Sequence, residues 1–168
     1  MKIRTITTQM FSPQNSCASL LLALLTLTMF PSSARETDQV PFKGIATGAI
    51  TSFEPGPAGV TITVQTEGYA TQLGRFTREE TLLLNPATMT FTGTIVFTAA
   101  NGDELLVGVA GAFTSPTTAA GTYTFNGGTG RFANAAGSAV FAASTDGDLV
   151  SVEFTGAISP VGANLLSL

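Results

Sequence analysis

The sequence predicts an all-β protein whose strands form a single antiparallel up-and-down barrel. Apolar and polar residues alternate with a period of two along most of the chain after residue 34, which is typical of half-buried strands. Short segments rich in Gly, Pro, Asn and Asp separate these runs and favour turns. Apolar stripes at helical spacing do not interrupt the series, so successive strands are expected to lie side by side as a meander.

The first 34 residues have the pattern of a secretory signal peptide. A basic start precedes the apolar run Ala18–Phe30, and the small residues Ser32 and Ala34 fit a cleavage site. We expect cleavage after Ala34, a mature single barrel domain over residues 35–168, and a secreted or periplasmic location. The alternative is an uncleaved anchor, but the apolar run is shorter than the roughly 18 residues that a spanning helix needs.

Eight runs in the mature region have strand character. In chain order they are Gly44–Ile50, Val60–Thr66, Arg75–Leu84, Met89–Thr98, Leu105–Phe113, Gly121–Phe125, Ser138–Ser144 and Val150–Ile158. Asn101–Gly102 predicts a hairpin turn, and the Pro- and Gly-rich segment Ser52–Gly59 predicts a loop between the first two strands. Closing eight strands into a barrel removes the two exposed sheet edges, whereas a β-sandwich is the alternative. We expect the apolar tail residues Leu165, Leu166 and Leu168 to pack against the barrel.

The charges and reactive groups limit the possible functions. The chain has a net charge of −4, and its few basic residues are scattered, so the sequence predicts no nucleic-acid partner. Histidine is absent and Cys17 is the only cysteine, which leaves no imidazole or thiolate pair in the mature region. We therefore expect no cofactor and no metal. The pair Asp146 and Asp148 offers too few oxygens for calcium and predicts a turn. No integral membrane segment is expected after cleavage. A membrane-spanning barrel would carry girdles of aromatic residues, whereas this sequence has no tryptophan and two tyrosines.

The segment Phe125–Phe141 contains a glycine pattern with two interpretations. Starting at Gly128, it fits Gly-x-Gly-x-x-Ala, the dinucleotide-binding pattern. That pattern requires a helix after the glycines, because the N-terminus of the helix holds the pyrophosphate. The residues that follow alternate as in a strand, so the sequence favours a structural turn.

In this turn we expect Gly127, Gly128 and Gly130 to supply positive φ angles. The ring of Phe132 is predicted to fold under the turn and plug one end of the barrel. Arg131 is predicted to point outward or to cap carbonyl groups.

The motif GGTGRFANAAGSA, which begins at Gly127, resembles the GGTG(K/R)F…A.G signature of the dirigent and allene oxide cyclase families. The segment Gly68–Thr77 resembles part of bacterial secreted proteins related to that barrel. The resemblance implies a calycin-like barrel of eight antiparallel strands. Plant members bind hydrophobic small molecules in the barrel and steer cyclisation or radical coupling. Their catalytic carboxylates and tyrosines lie outside this motif, so the resemblance assigns no catalytic residue here.

The candidate ligand-binding residues are Arg78, Glu80 and Tyr123. Arg78 and Glu80 share a strand face with Phe76 and Leu82, and if that face points inward the two can pair inside the barrel. The alternative is that this end of the strand projects into solvent. Tyr123 is expected to place its ring in the core and its hydroxyl at a rim.

The scarcity of reactive groups favours a non-catalytic secreted barrel that binds a small apolar ligand or acts in surface interactions. The alternative is an isomerase or cyclase that acts on a hydrophobic small molecule inside the barrel, since such an enzyme needs shape and one placed acid or base. The sequence indicates no particular oligomeric state.

Overall fold

A computed structural model describes residues 39–162 and shows one closed barrel of eight antiparallel strands. Each strand pairs with the next in sequence, and β8 closes onto β1. The strands are β1 (Val40–Gly56), β2 (Gly59–Ala70), β3 (Gly74–Asn85), β4 (Thr90–Ala99), β5 (Glu104–Ser115), β6 (Thr118–Gly128), β7 (Ala136–Asp146) and β8 (Leu149–Ile158). The predicted all-β, up-and-down barrel is confirmed, and the sandwich alternative is wrong.

Two sequence predictions fall on other parts of the chain. The signal peptide over residues 1–34 and the tail with Leu165, Leu166 and Leu168 lie outside the described residues, so both stay predictions. Within residues 39–162, no helix has the length and hydropathy needed to cross a membrane.

Alternation within the strands places large rings in the interior. In β3, every second residue from Phe76 to Leu84 is buried. Phe42 packs against Phe125 and Phe154, with ring centroids 4.7 Å and 5.3 Å away. Burying one such side chain contributes about 1.5–3 kcal/mol to folding. The interior is therefore an aromatic core over much of its length.

One predicted loop is largely strand. The segment Ser52–Gly59 was expected to form a loop, but β1 continues to Gly56 and pairs with β2 up to Gly59. A register shift between Ile50 and Ser52 inserts an extra residue and lets the pairing continue beyond it. The proline and glycine residues correctly indicate a turn between β1 and β2, but that turn consists of only the two residues between Gly56 and Gly59.

The segment between β6 and β7 closes one end of the barrel. A short 3₁₀ helix, Gly130–Phe132, presents Phe132 to the interior, where its side chain is fully buried. Gly127 and Gly130 have φ angles of 80° and 53°. Gly128 differs from the expectation of positive φ, because it lies in β6 opposite Leu105. A Cβ atom there would collide with the carbonyl oxygen of Glu104, so close packing of β5 requires the glycine.

Arg131 caps this closed end from outside. Its Nη2 donates to the carbonyl oxygen of Leu73 at 3.3 Å, and its guanidinium lies 4.9 Å from the ring centroid of Phe132. Asp103 accepts hydrogen bonds from the Asn101 side chain at 2.8 Å and from the Arg131 backbone N–H at 3.3 Å. These two bonds, aided by the nearby guanidinium, lower the pKa of the Asp103 carboxyl. The β4–β5 hairpin is thereby linked to the β6–β7 connection.

The plug and the cap should differ in their effect on stability. We expect Phe132→Ala to lower the free energy of unfolding by about 3–5 kcal/mol, because it leaves a cavity in an enclosed position. We expect Arg131→Ala to cost less than about 1 kcal/mol, because its ion pair with Asp103, with Nε 3.8 Å from Oδ2, is partly exposed and is screened by solvent. Urea denaturation of the two variants measures both values. A larger loss for Arg131→Ala would show that the cap, and not the ring, holds this end closed.

Candidate functional site

A small cavity lies inside the barrel toward the end opposite the Phe132 plug. Its volume is about 70 Å³. Ile50, Phe113, Ala143 and Thr145 line it, are half-buried and lie near the hairpin turns, so they form its mouth. The full lining comprises Ile50, Ile62, Val64, Arg78, Glu80, Leu82, Phe91, Phe113, Ala119, Phe141, Ala143, Thr145, Val150 and Val152. The wall is thus almost entirely apolar, with two charged residues.

Arg78 and Glu80 are those two charged residues, and both lie in the interior. Their side chains are 2% and 7% exposed and form a direct ion pair. They face inward because β3 buries alternate residues, so the alternative that this end of the strand projects into solvent is wrong. The β3–β4 turn lies at the end of the barrel where the cavity has its mouth. Arg78 is farther from that turn than Glu80 and therefore lies deeper, at the floor of the cavity.

Aromatic rings hold the guanidinium of Arg78 in place. Its Cζ lies 5.5 Å from the ring centroid of Phe97 and 5.4 Å from that of Tyr123, within the range of cation–π attraction. Tyr123 in turn stacks on Phe141, with the centroids 4.6 Å apart. The three residues predicted as ligand-binding, Arg78, Glu80 and Tyr123, therefore come together in one cluster.

The hydroxyl of Tyr123 is buried and does not reach a rim, contrary to the sequence expectation. The strand places the residue at mid-barrel, between the plug and the cavity, where the whole ring is enclosed. Burial raises the pKa of this hydroxyl well above its usual value, and the Arg78 charge opposes that shift only in part. The phenol therefore stays protonated and can donate a hydrogen bond.

Several polar atoms around Arg78 have no hydrogen-bond partner among the described residues. They are Nε and Nη1 of Arg78, the hydroxyl of Tyr123 and the hydroxyl of Thr66. Buried polar groups in folded proteins nearly always have a partner, so this cluster has capacity to bind water or a guest molecule. The arrangement can orient an oxygen-bearing group at the floor of an apolar cavity.

Thr66 was missed as a member of this cluster by the sequence analysis. It lies opposite Arg78 in the β2–β3 pairing and is buried. The period-two pattern that places Val60, Ile62 and Val64 inward also includes Thr66. Continuing that pattern to the polar residue would have found it.

Several other acidic side chains lie away from the cavity. Glu79 and Glu153 point outward from β3 and β8, Asp146 ends β7, and Asp148 lies in the β7–β8 turn. Over residues 39–162, no group of three or more His, Cys, Asp or Glu side chains is close enough to hold a metal ion.

The comparisons with known proteins identify the fold. No protein-family model matches the chain, and no curated protein matches its sequence. The solved structure of the pterocarpan synthase dirigent protein PsPTS1 superposes with a TM-score of 0.57 at 15% identity, covering 73% of this chain and 95% of that one. The pterocarpan synthase dirigent protein GePTS1 gives 0.54 at 16% identity, covering 81% and 98%. The resemblance to a dirigent-type barrel is confirmed at the level of the fold. The allene oxide cyclase and calycin relationships stay predictions.

The buried ion pair should be coupled strongly in folding. We expect Arg78→Met alone to lower the free energy of unfolding by about 3–5 kcal/mol, because it leaves the Glu80 carboxylate buried without a counter-charge. The double variant Arg78→Met with Glu80→Leu should recover most of that loss, since apolar groups suit the cavity wall. A double-mutant cycle by urea denaturation measures the coupling. Additive losses in the cycle would mean that the two side chains contribute independently to the free energy of unfolding.

Proposed function

We propose that this protein is a secreted, non-catalytic barrel that binds a small, largely apolar molecule through the end opposite Phe132. The observation that supports the proposal is an apolar cavity with an incompletely hydrogen-bonded polar cluster at its floor. Apolar walls with a few convergent polar groups are the usual composition of small-molecule sites.

The cavity volume limits what can enter. Sites for drug-sized ligands typically measure about 300–1,000 Å³, and this cavity is about 70 Å³. A guest would therefore insert one end into the barrel. The rest of the molecule would lie at the mouth, against Ile50 and Phe113. Compact molecules with a narrow leading group fit this arrangement best.

The secreted location is supported by the sequence of the first 34 residues, which has the pattern of a signal peptide. The two solved relatives are described as pterocarpan synthase dirigent proteins, and at this identity they share the barrel with this chain. Their function adds support for a small-molecule partner of a barrel of this kind, without indicating the same molecule.

An isomerase or cyclase is the second candidate function, favoured by the presence of Glu80 in the cavity wall. A general acid or base must reach the proton that it transfers. Glu80 is engaged by Arg78, and the Tyr123 phenol stays protonated. Both features suit binding and orientation better than proton transfer, so the non-catalytic proposal is preferred.

Ligand entry can be tested with a pair of neighbouring alanines. Ala143 lines the cavity, whereas Ala142 is exposed on the outer face of β7. We expect acetophenone, followed by NMR of the purified mature protein, to shift the methyl signals of Ile50, Ile62 and Val150 saturably. Ala143→Phe should abolish these shifts by filling the mouth, and Ala142→Phe should leave them unchanged. If acetophenone, its apolar analogue α-methylstyrene and benzoate all fail to give saturable shifts, the cavity is excluded as a binding site.

The location can be tested by expressing the full chain in a bacterial host with a Sec pathway. We expect the protein to be exported and its mature form to begin at Arg35, as read by mass spectrometry of the intact protein. Ala34→Arg should block processing, because cleavage requires a small residue at that position. Retention of the full chain in the cytoplasm would contradict the predicted signal peptide.

A further inference from the structure

The polar cluster at the cavity floor consists mainly of hydrogen-bond donors. The ion pair with Glu80 uses Nη2 of Arg78, while Nε and Nη1 have no partner among the described residues. The hydroxyls of Thr66 and Tyr123 are also unpartnered, but these two residues lie next to Arg78 and do not line the cavity themselves. Guanidinium N–H groups can only donate, and hydroxyls can donate or accept. Of these three residues, Arg78 alone lines the cavity, so a guest that reaches its side chain meets a donor group that calls for an acceptor.

The charge of the cavity is balanced before any guest arrives. Arg78 and Glu80 are the ionisable residues in its lining, and they neutralise each other as a pair. Their side chains are almost wholly buried, so solvent screens added charge poorly. An anion at the floor would lie beside the Glu80 carboxylate, and a cation would lie beside the Arg78 guanidinium.

We propose that the cavity selects uncharged molecules that present an acceptor oxygen, such as ketones, esters or ethers, and that Glu80 excludes carboxylates. This inference rests on the proposed function of the cavity as a binding site. An acceptor oxygen can receive a charge-assisted hydrogen bond from Nε or Nη1 of Arg78 without disturbing the ion pair. A carboxylate would lose its hydration and face a like charge at close range.

The size of the cavity also suits a small carbonyl-bearing group. Its volume of about 70 Å³ accommodates a carbonyl group with a small substituent better than a whole ring. Phe91 and Phe113 both line the cavity and pack edge to face, with centroids 5.6 Å apart. An aromatic or aliphatic body attached to the carbonyl would contact these rings near the mouth.

Three probes of nearly identical shape separate polarity from size. Acetophenone, α-methylstyrene and benzoate have the same number of non-hydrogen atoms and differ in the group that would enter the cavity. At neutral pH, we expect acetophenone to bind the mature protein about tenfold more tightly than α-methylstyrene, which lacks the acceptor. We expect benzoate to bind at least about a hundredfold more weakly than acetophenone. NMR titration of the cavity methyls measures all three dissociation constants.

Glu80→Gln tests whether the carboxylate is the cause of the exclusion. The substitution keeps the shape of the side chain but leaves Arg78 with an unbalanced positive charge. We expect benzoate to become the preferred probe in this variant. The matched control is Glu79→Gln, the neighbouring residue on the outer face of β3, which should keep the order of the unmodified protein. A thermal melt establishes that each variant is folded before titration.

The outcomes separate this inference from the proposed function. Equal or tighter binding of benzoate than of acetophenone to the unmodified protein would overturn the selectivity and leave the cavity as a binding site. A folded Glu80→Gln variant that still rejects benzoate would overturn the role of Glu80. If that variant does not fold, the order of the three probes in the unmodified protein decides. Failure of all three probes to bind would overturn both the proposed function and this inference.

Discussion

The pairing of β8 with β1 is the contact on which the rest of the structure depends. It joins Val40 to Ile158 and continues in register to Ala49 and Leu149. Because this pairing leaves no free edge, alternate residues of every strand point into one enclosed space. A barrel of eight strands is just wide enough for side chains to fill, or to leave room for one small guest. Whether a cavity exists therefore depends on which side chains fill each level of the barrel.

The interior is filled unevenly along the barrel axis. Rings such as Phe42, Phe97 and Phe154 occupy the half nearer the plug, where their centroids lie within 6.3 Å of one another. Smaller side chains, including Ala119 and Ala143, line the other half and leave the cavity open. The ion pair lies at the boundary between the two. Burying such a pair has an effective cost of several kcal/mol per ion, and an apolar replacement is often as stable. Stability alone therefore gives a weak reason for the pair.

Alternation along each strand was enough to predict the eight strands and to place Arg78 and Glu80 on one face. It could not decide whether that face was enclosed, since enclosure depends on the neighbouring strands, which set Thr66 and Phe97 on either side of Arg78. Composition gave the position of turns but not their length, because the bulge near Ile50 is a property of the pairing and not of the residues in the turn. The same limit applies to glycine. The sequence does not distinguish a glycine that forms a turn from a glycine that packs against a neighbouring strand. The pairing register shows that Gly128 packs against β5.

The residues that resemble the dirigent signature and the residues that line the cavity lie in different parts of the barrel. The motif from Gly127 onward closes one end, where its glycines meet backbone constraints and its phenylalanine forms the plug. The polar cluster comes from β2, β3 and β6 and faces the other end. A substitution in the cluster can change the polarity of the cavity without altering how the barrel closes. The motif therefore indicates the fold of this chain, and its chemistry has to be argued from Arg78, Glu80 and their neighbours.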